Sequence, residues 1–151
     1  MRWLFLLLFT LNLYALEMGV DIYNELKTKD GIFVDKTTNF IWQDNPAAKN
    51  TLKSWYEAKK YCHDLELNGF NDWMLPSKKE LLTLYQRKDE LRDQAPSFYW
   101  SASSGFYNTE DAWYVLFYNA YSNYYFKEFR LFTCCIRQRK VYFLNFPSRK
   151  E

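Results

Sequence analysis

The chain is expected to fold as one α+β domain, with two helices packed on short antiparallel sheets. Two helix starts, Ser54-Trp55-Tyr56-Glu57 and Ser77-Lys78-Lys79-Glu80, lie in succession mid-chain. Each has the capping-box spacing, in which the serine hydroxyl accepts a helix N–H while the glutamate accepts the serine N–H. Short runs of β-branched and aromatic residues, broken by polar turns, stand on both sides of them. Strands, then two helices, then strands again is an α+β order rather than alternating parallel units, and 151 residues suit one domain.

In chain order, Met1 to Ala15 carries one cation, Arg2, and an apolar run from Trp3 to Phe9 that Thr10 and Asn12 weaken. The run is shorter than the roughly 20 apolar residues of a membrane span, and its layout is that of a signal peptide ending at Ala15. A buried N-terminal element and an uncleaved anchor are the alternatives. Export makes the chain periplasmic or secreted, with no stable membrane span after cleavage. Residues 16–30 form an N-terminal segment of mixed character, either a short strand or loosely attached. The domain proper is expected over 31–138. Ile32-Phe33-Val34-Asp35 and Phe40-Ile41-Trp42 read as a hairpin about a polar turn, and Asp44-Asn45-Pro46 opens a polar linker to Lys53.

A helix is expected from Trp55 to Leu67, burying Trp55, Ala58, Cys62 and Leu65, with Asn68-Gly69 as its stop. Pro76 keeps Leu75 extended, so the second helix starts only after it and carries Leu81, Leu82, Leu84 and Tyr85. Between the helices, Trp73 reads as core and Asp72 as a turn or cap residue. Strand compositions follow at Phe98–Ser103, Ala112–Tyr118, Tyr124–Phe126 and Cys135–Arg137. The end of the chain is basic, with 139–151 as a tail: Arg137 just before it, and Arg139, Lys140, Arg149 and Lys150 within it, are opposed only by Glu151. A solvated tail is the plainer reading of it than a contact with an anionic surface.

The whole chain has 20 basic and 18 acidic side chains, and losing Arg2 with the signal would bring the balance closer still. Such a balance excludes a dedicated nucleic-acid binder, which needs a basic face. Zincin, nucleophile-elbow and phosphate-loop spacings are absent. His63, the only histidine, follows Cys62 directly; neighbouring helix positions diverge by about 100°, so the two do not form a catalytic dyad. Asn108, Glu110 and Asp111, with Asn119 and Asn123, are the oxygen-bearing residues a calcium ion would need. The sugar-binding calcium motifs of lectins are missing, and ordinary loop polarity accounts for these residues. No metal or cofactor is expected.

Three cysteines, Cys62, Cys134 and Cys135, in an exported chain imply one long-range disulfide. Adjacent strand residues point to opposite faces, so only one of Cys134 and Cys135 can readily meet Cys62.

Aromatic residues make up 21% of the chain, and tyrosines crowd the region from Tyr107 to Tyr125. If Trp113, Val115 and Phe117 face the core, Tyr114, Leu116 and Tyr118 lie opposite, either exposed as an interaction site or covered by a second layer. The loop Asn119-Ala120-Tyr121-Ser122-Asn123 has the composition of adaptable binding loops. The candidate ligand-binding residues are therefore Tyr107, Asn108, Tyr114, Tyr118, Asn119, Tyr121, Asn123 and Tyr125.

Several fragments, in order along Gly31 to Arg137, resemble one bacterial family. They are Asp35-Lys36-Thr37 with Ile41-Trp42, Trp55 with Ala58 and Tyr61-Cys62, Gly69 with Asp72-Trp73-Met74-Leu75-Pro76, Glu80-Leu81, Tyr99-Trp100-Ser101, Ala112-Trp113-Tyr114-Val115 and Cys135-Ile136-Arg137. The family is the domain of unknown function typified by the C-terminal domain of the Legionella collagen-like protein. The resemblance implies a fold similar to C-type-lectin-like and sulfatase-modifying-factor domains, a place on exported proteins, binding or adhesion roles, and pairing of Cys62 with Cys135. The chain departs from the family at Met74 and Cys134, where arginines are usual, and near Ala120, where a glycine is usual. Losing two arginines weakens any transfer of an anion site.

The functional expectation is an exported non-catalytic module that recognises a glycan, peptide or envelope protein through the aromatic loop face. The alternatives are an enzyme of sulfatase-modifying type or a thiol redox protein using Cys134 or Cys135, and a structural subunit of an envelope assembly. The oligomeric state does not follow from the residues.

Overall fold

The computed structural model describes residues 31–105 and 108–139. The expected signal, the 16–30 segment and the tail beyond Arg139 lie outside them. The elements are β1 (Ile32–Asp35), β2 (Phe40–Gln43), β3 (Leu52–Lys53), α1 (Trp55–His63), α2 (Lys78–Tyr85), β4 (Phe98–Ser104), β5 (Asp111–Leu116), β6 (Ser122–Phe126), β7 (Leu131–Phe132) and β8 (Ile136–Gln138). A single 3-10 turn, Lys88–Glu90, follows α2. The expected α+β class holds.

β1 and β2 form the predicted antiparallel hairpin, and β8 joins β2 from the other side, giving a sheet in the order β1-β2-β8. The hairpin turn closes on Asp35. Its Oδ1 accepts the Thr37 N–H at 2.8 Å and the Thr37 hydroxyl at 2.7 Å, and its Oδ2 accepts the Thr38 hydroxyl at 2.8 Å. Burial pushes the Asp35 carboxyl up, but those hydrogen bonds and the nearby Arg87 cation more than offset it, so the group lies below the ordinary range.

The second sheet runs β3-β7-β4-β5-β6, with β4 and β7 parallel and the other pairs antiparallel. β3 and β7 were not foreseen. Each is two residues long, too short for alternation to register, and Leu52-Lys53 sits in a stretch that reads as polar linker. Tertiary bonds hold them: the Trp100 indole donates to the Lys53 carbonyl at 2.9 Å, and Thr133 N–H donates to the Thr51 carbonyl at 3.0 Å.

Both helices start where the serines placed them. Ser54 Oγ accepts the Glu57 N–H at 3.4 Å while Glu57 Oε2 accepts the Ser54 N–H at 2.9 Å; at Ser77 and Glu80 the corresponding distances are 3.3 and 2.7 Å. α1 stops at His63, short of the expected Leu67. Leu67 and Phe70 exchange backbone hydrogen bonds, both at 3.1 Å, around Asn68 and Gly69 at φ 54° and 76°. Asn68-Gly69 is therefore a tight hairpin turn, the use for which consecutive left-handed residues are best suited, rather than a helix stop.

Two cores lie on opposite sides of the strands. One gathers Ile41, Trp55, Ala58, Cys62, Trp73, Trp100 and Cys135; the other gathers Trp42, Leu81, Leu84, Tyr99, Val115, Phe117 and Cys134. Neighbouring pairs such as Ile41 and Trp42, Tyr99 and Trp100, or Cys134 and Cys135 each send one residue to each core, because strand side chains alternate. α1 closes the first core and α2 the second.

Cys62 is bonded to Cys135, with Cα atoms 5.4 Å apart across 73 positions, and Cys134 is free and buried. The bridge ties α1 to the start of β8. Gln43, fully buried, binds the same junction: its N–H donates to the Cys135 carbonyl at 2.9 Å, its Oε1 accepts the Cys135 N–H at 3.3 Å, and its Nε2 donates to Tyr61 Oη at 2.9 Å.

Candidate binding face

Strand register decides which tyrosines meet. Phe98 stands opposite Leu116 and Trp100 opposite Tyr114, while Tyr114 stands opposite Asn123 and Ala112 opposite Tyr125. Cross-strand partners share a face, so Phe98, Tyr114, Asn123 and Tyr125 look out on one side of the sheet. Tyr121 joins them, since Asn123 Nδ2 donates to its hydroxyl at 2.8 Å. At the Trp100 and Ala112 end this face is buried in the first core beside Trp55. Toward the hairpin tip it opens, with Phe98 41% and Tyr121 52% exposed, and on the β6 edge opposite Ala112 the Tyr125 ring is also 41% exposed.

The rings on the open part are packed against one another. Phe98 meets Tyr114 edge-on at 5.3 Å between centroids, and Tyr125 lies 4.4 Å from Phe129. Burial, then the proximity of the Tyr121 and Tyr125 phenols, raises the pKa of Tyr114.

Two hydrogen bonds blunt the free edge of β6. The Leu116 N–H donates to the Tyr121 carbonyl and the Lys127 N–H to the Glu110 carbonyl, so odd-numbered residues of β6 face β5 and the even ones face outward. Of those outward groups, the Tyr124 N–H donates to Asn123 Oδ1 at 2.9 Å, and the Phe126 carbonyl accepts the Phe129 N–H at 3.0 Å. An added strand would find these two positions taken, which leaves the side-chain face as the better recognition surface.

The predicted residues divide accordingly. Tyr114, Tyr121, Asn123 and Tyr125 come together. Tyr118 and Asn119 sit at the hairpin tip, where Tyr118 is 73% exposed and Asn119 Oδ1 accepts the Tyr121 N–H at 3.0 Å. Asn108 is separate, its Oδ1 accepting the Glu110 N–H at 3.0 Å to close its own loop. Tyr107 lies outside the described residues. Phe98 and Phe129 were not foreseen; the signal available was the position of Phe98 two residues before Trp100, which puts both on one strand face.

Alternation along β5 needs correction. Val115 and Phe117 are core as expected, but Trp113 is half-buried, with the Lys78 ammonium 3.5 Å from its ring centroid and Tyr124 edge-on at 5.6 Å. Ala112 and Tyr114 contribute to the other core, so the strand has two inward faces at its start and one at its end. Lys127, a surface charge by composition, is buried: its ammonium donates to the Thr109 carbonyl and lies 4.4 Å above the Trp55 ring.

Among the described residues no three His, Cys, Asp or Glu side chains converge as metal ligands, and no helix is long and apolar enough to cross a membrane. His63 faces solvent beside Asp64, with its side chain 87% exposed. The free thiol of Cys134 is enclosed, and burial pushes its pKa up to about 12. A cleft of about 390 Å³ between β1 and the turn after α2 holds Asp44, Arg87, Glu90 and Arg92. Its charges are stitched internally: Arg87 grips Glu90 through two nitrogens, at 2.5 and 3.0 Å, and Asp44 accepts the Arg92 and Asp93 N–H groups.

Across this same span, residues 31–137, the chain matches the family model of the Lcl C-terminal domain. The chain belongs to that family. No curated protein matches it. The Lcl C-terminal domain match begins at the glycine before β1 and ends within β8, so it takes in both sheets, both helices, the disulfide and the open tyrosine face. Membership in the Lcl C-terminal domain family is in keeping with a binding or adhesion-type module, and leaves the partner open. Ala120 has φ 61°, in the left-handed region where a glycine is free of Cβ strain.

Proposed function

We propose that this chain is an exported, non-catalytic binding or adhesion module that engages a glycan, peptide or envelope protein through the Phe98, Tyr114, Tyr121, Asn123 and Tyr125 face. The observation that carries the reading is the open half of that face. Large rings with polar tips are held half-exposed by strand pairing rather than by a mobile loop, which presents contact area at low entropic cost. Recognition would be ring stacking plus hydrogen bonds from phenol and amide groups, without covalent chemistry.

The disulfide supports an oxidising compartment, as export would supply. Enclosure of the Cys134 thiol supports a non-catalytic role, because thiolate is the reactive form and burial suppresses it. Replacing Tyr121 and Tyr125 by alanine should leave thermal stability nearly unchanged, since both rings are exposed, at 52% and 41%, while weakening retention on whichever ligand a glycan and peptide array identifies. Unfolding of both variants, or undiminished binding, would refute the assignment.

A further inference from the structure

We infer that the chain just before β1, Glu25 to Lys29, folds back on β1 as a further antiparallel strand, so that the cleft between β1 and the turn after α2 is occupied by a segment of this same chain. β1 stands at the end of its sheet, and among the described residues its outer edge has no partner strand. The Asp44 N–H donates to the Gly31 carbonyl at 2.8 Å, while the Gln43 N–H turns the other way, to the Cys135 carbonyl. Main-chain groups alternate in direction along an antiparallel pair, so those of Gly31, Phe33 and Asp35 face β2. Those of Ile32 and Val34 point outward, on the edge that lines the cleft.

The chain enters β1 through Asp30-Gly31, a dipeptide strongly favoured in two-residue hairpin turns, and Gly31 has φ 89°, the left-handed value such a turn needs at its second position. A turn there sets Lys29 opposite Ile32, Thr28 opposite Phe33, Lys27 opposite Val34 and Glu25 opposite Lys36. The residues that close a two-residue turn exchange main-chain hydrogen bonds, which requires the groups of Ile32 to point outward. A turn displaced by one residue would meet Phe33, whose groups are already given to β2. Charge agrees with this register. Leu16 to Leu26 contains Glu17, Asp21 and Glu25 and no lysine or arginine. At the mouth of the cleft Lys36 is exposed and the Arg92 side chain is 57% exposed. The carboxylates of the cleft are committed, Asp44 to the Arg92 and Asp93 N–H groups and Glu90 to Arg87. Lys27 and Lys29 fall on the strand face of Ile32 and Val34, opposite the face on which Asp35 meets Arg87. The fifteen residues from Leu16 to Asp30 are more than the turn and strand require. Pairing would also close a strand edge that otherwise invites association.

The test is amide hydrogen exchange and NMR on the full chain. The Ile32 and Val34 amides should exchange at least about a hundredfold more slowly than in the unfolded chain. The α-protons of Thr28 and Phe33 should show the close contact of a cross-strand pair that shares no hydrogen bond. Lys27→Pro removes an N–H that would donate to Val34, and should speed exchange at Val34 about tenfold while leaving the core amide of Leu84 unchanged. Thr28→Pro removes an N–H that would face solvent, and should alter exchange at Val34 less than about twofold. Both variants lie outside the two cores, so the rest of the domain reports its own folding. Unprotected Ile32 and Val34 amides in the full chain overturn the inference, and so do equal effects of the two prolines. Contact between Thr28 and Phe33 of different molecules, in a mixture of differently labelled chains, assigns the edge to a second copy and overturns the fold-back.

Discussion

Arg137 holds both carboxylate oxygens of Asp72, at 2.6 and 3.0 Å, across 65 positions of the chain, while its guanidinium lies 3.8 Å above the Phe70 ring. Asp72 is thus more than the turn or cap residue its neighbours suggest. It neutralises a cation whose side chain is only 6% exposed, and it pins the segment before α2 to β8. Asp72→Ala should lower stability by about 2 kcal/mol, less than for a wholly buried pair because Asp72 is partly open to water. Asp72→Ala with Arg137→Met should recover part of the loss. Urea melts of the two variants measure this, and a double variant weaker than the single one would show that the ion pair is not what holds the segment.

Thiol counting checks the cysteine assignment. The native chain should show no alkylatable thiol, the denatured unreduced chain one, and the reduced chain three, because Cys134 is buried and the other two are bonded. Breaking the Cys62–Cys135 bridge by substitution should cost on the order of 4 kcal/mol in the simple loop-entropy account.

Alkaline stability should carry the mark of Cys134. An unfolded cysteine ionises near its ordinary value of 9.0, whereas the folded one holds its proton up to about 12. The folded state therefore binds the proton more tightly, and the stability this contributes is whole below pH 9.0 and lost progressively from there to about 12. Tyr99, raised by burial, adds its own slope above 10.0. Denaturant midpoints followed against pH should fall more steeply for the native sequence than for Cys134→Ala, and equal slopes would contradict the assignment.

Ala120→Gly should raise stability by about 1 kcal/mol, since a left-handed alanine is strained and the replacement removes the Cβ that strains it. A Tm shift upward, with ligand binding unaltered, is the expected result; a fall would mean that glycine's greater unfolded-state freedom outweighs the relief.

Much of the architecture was legible because it rests on near neighbours. The two serine caps, the β1–β2 hairpin and the inward face of α1 at Trp55, Ala58 and Cys62 each follow from groups within about four positions of one another. The opposite orientation of Cys134 and Cys135 is equally local. Pairing with Cys135 in particular was implied by family resemblance, and the bond bears it out. The helix ends at His63 rather than Leu67 because Asn68-Gly69 suits both a stop and a hairpin turn, and the Leu67 N–H, bonded to the Phe70 carbonyl, selects the turn.

Residue order thus sets where this chain turns, caps and alternates, since those outcomes are decided by bonds and rotamers inside a few residues. Which tyrosines share a surface depended on the β5–β6 register and on how far Trp55 and Trp100 cover Ala112. Whether Lys127 is a surface charge or a buried cation, and whether Asp72 caps a turn or anchors Arg137, likewise depended on groups many positions away. Long-range pairing chooses among faces that alternation leaves equivalent, and burial then fixes what each charge can meet.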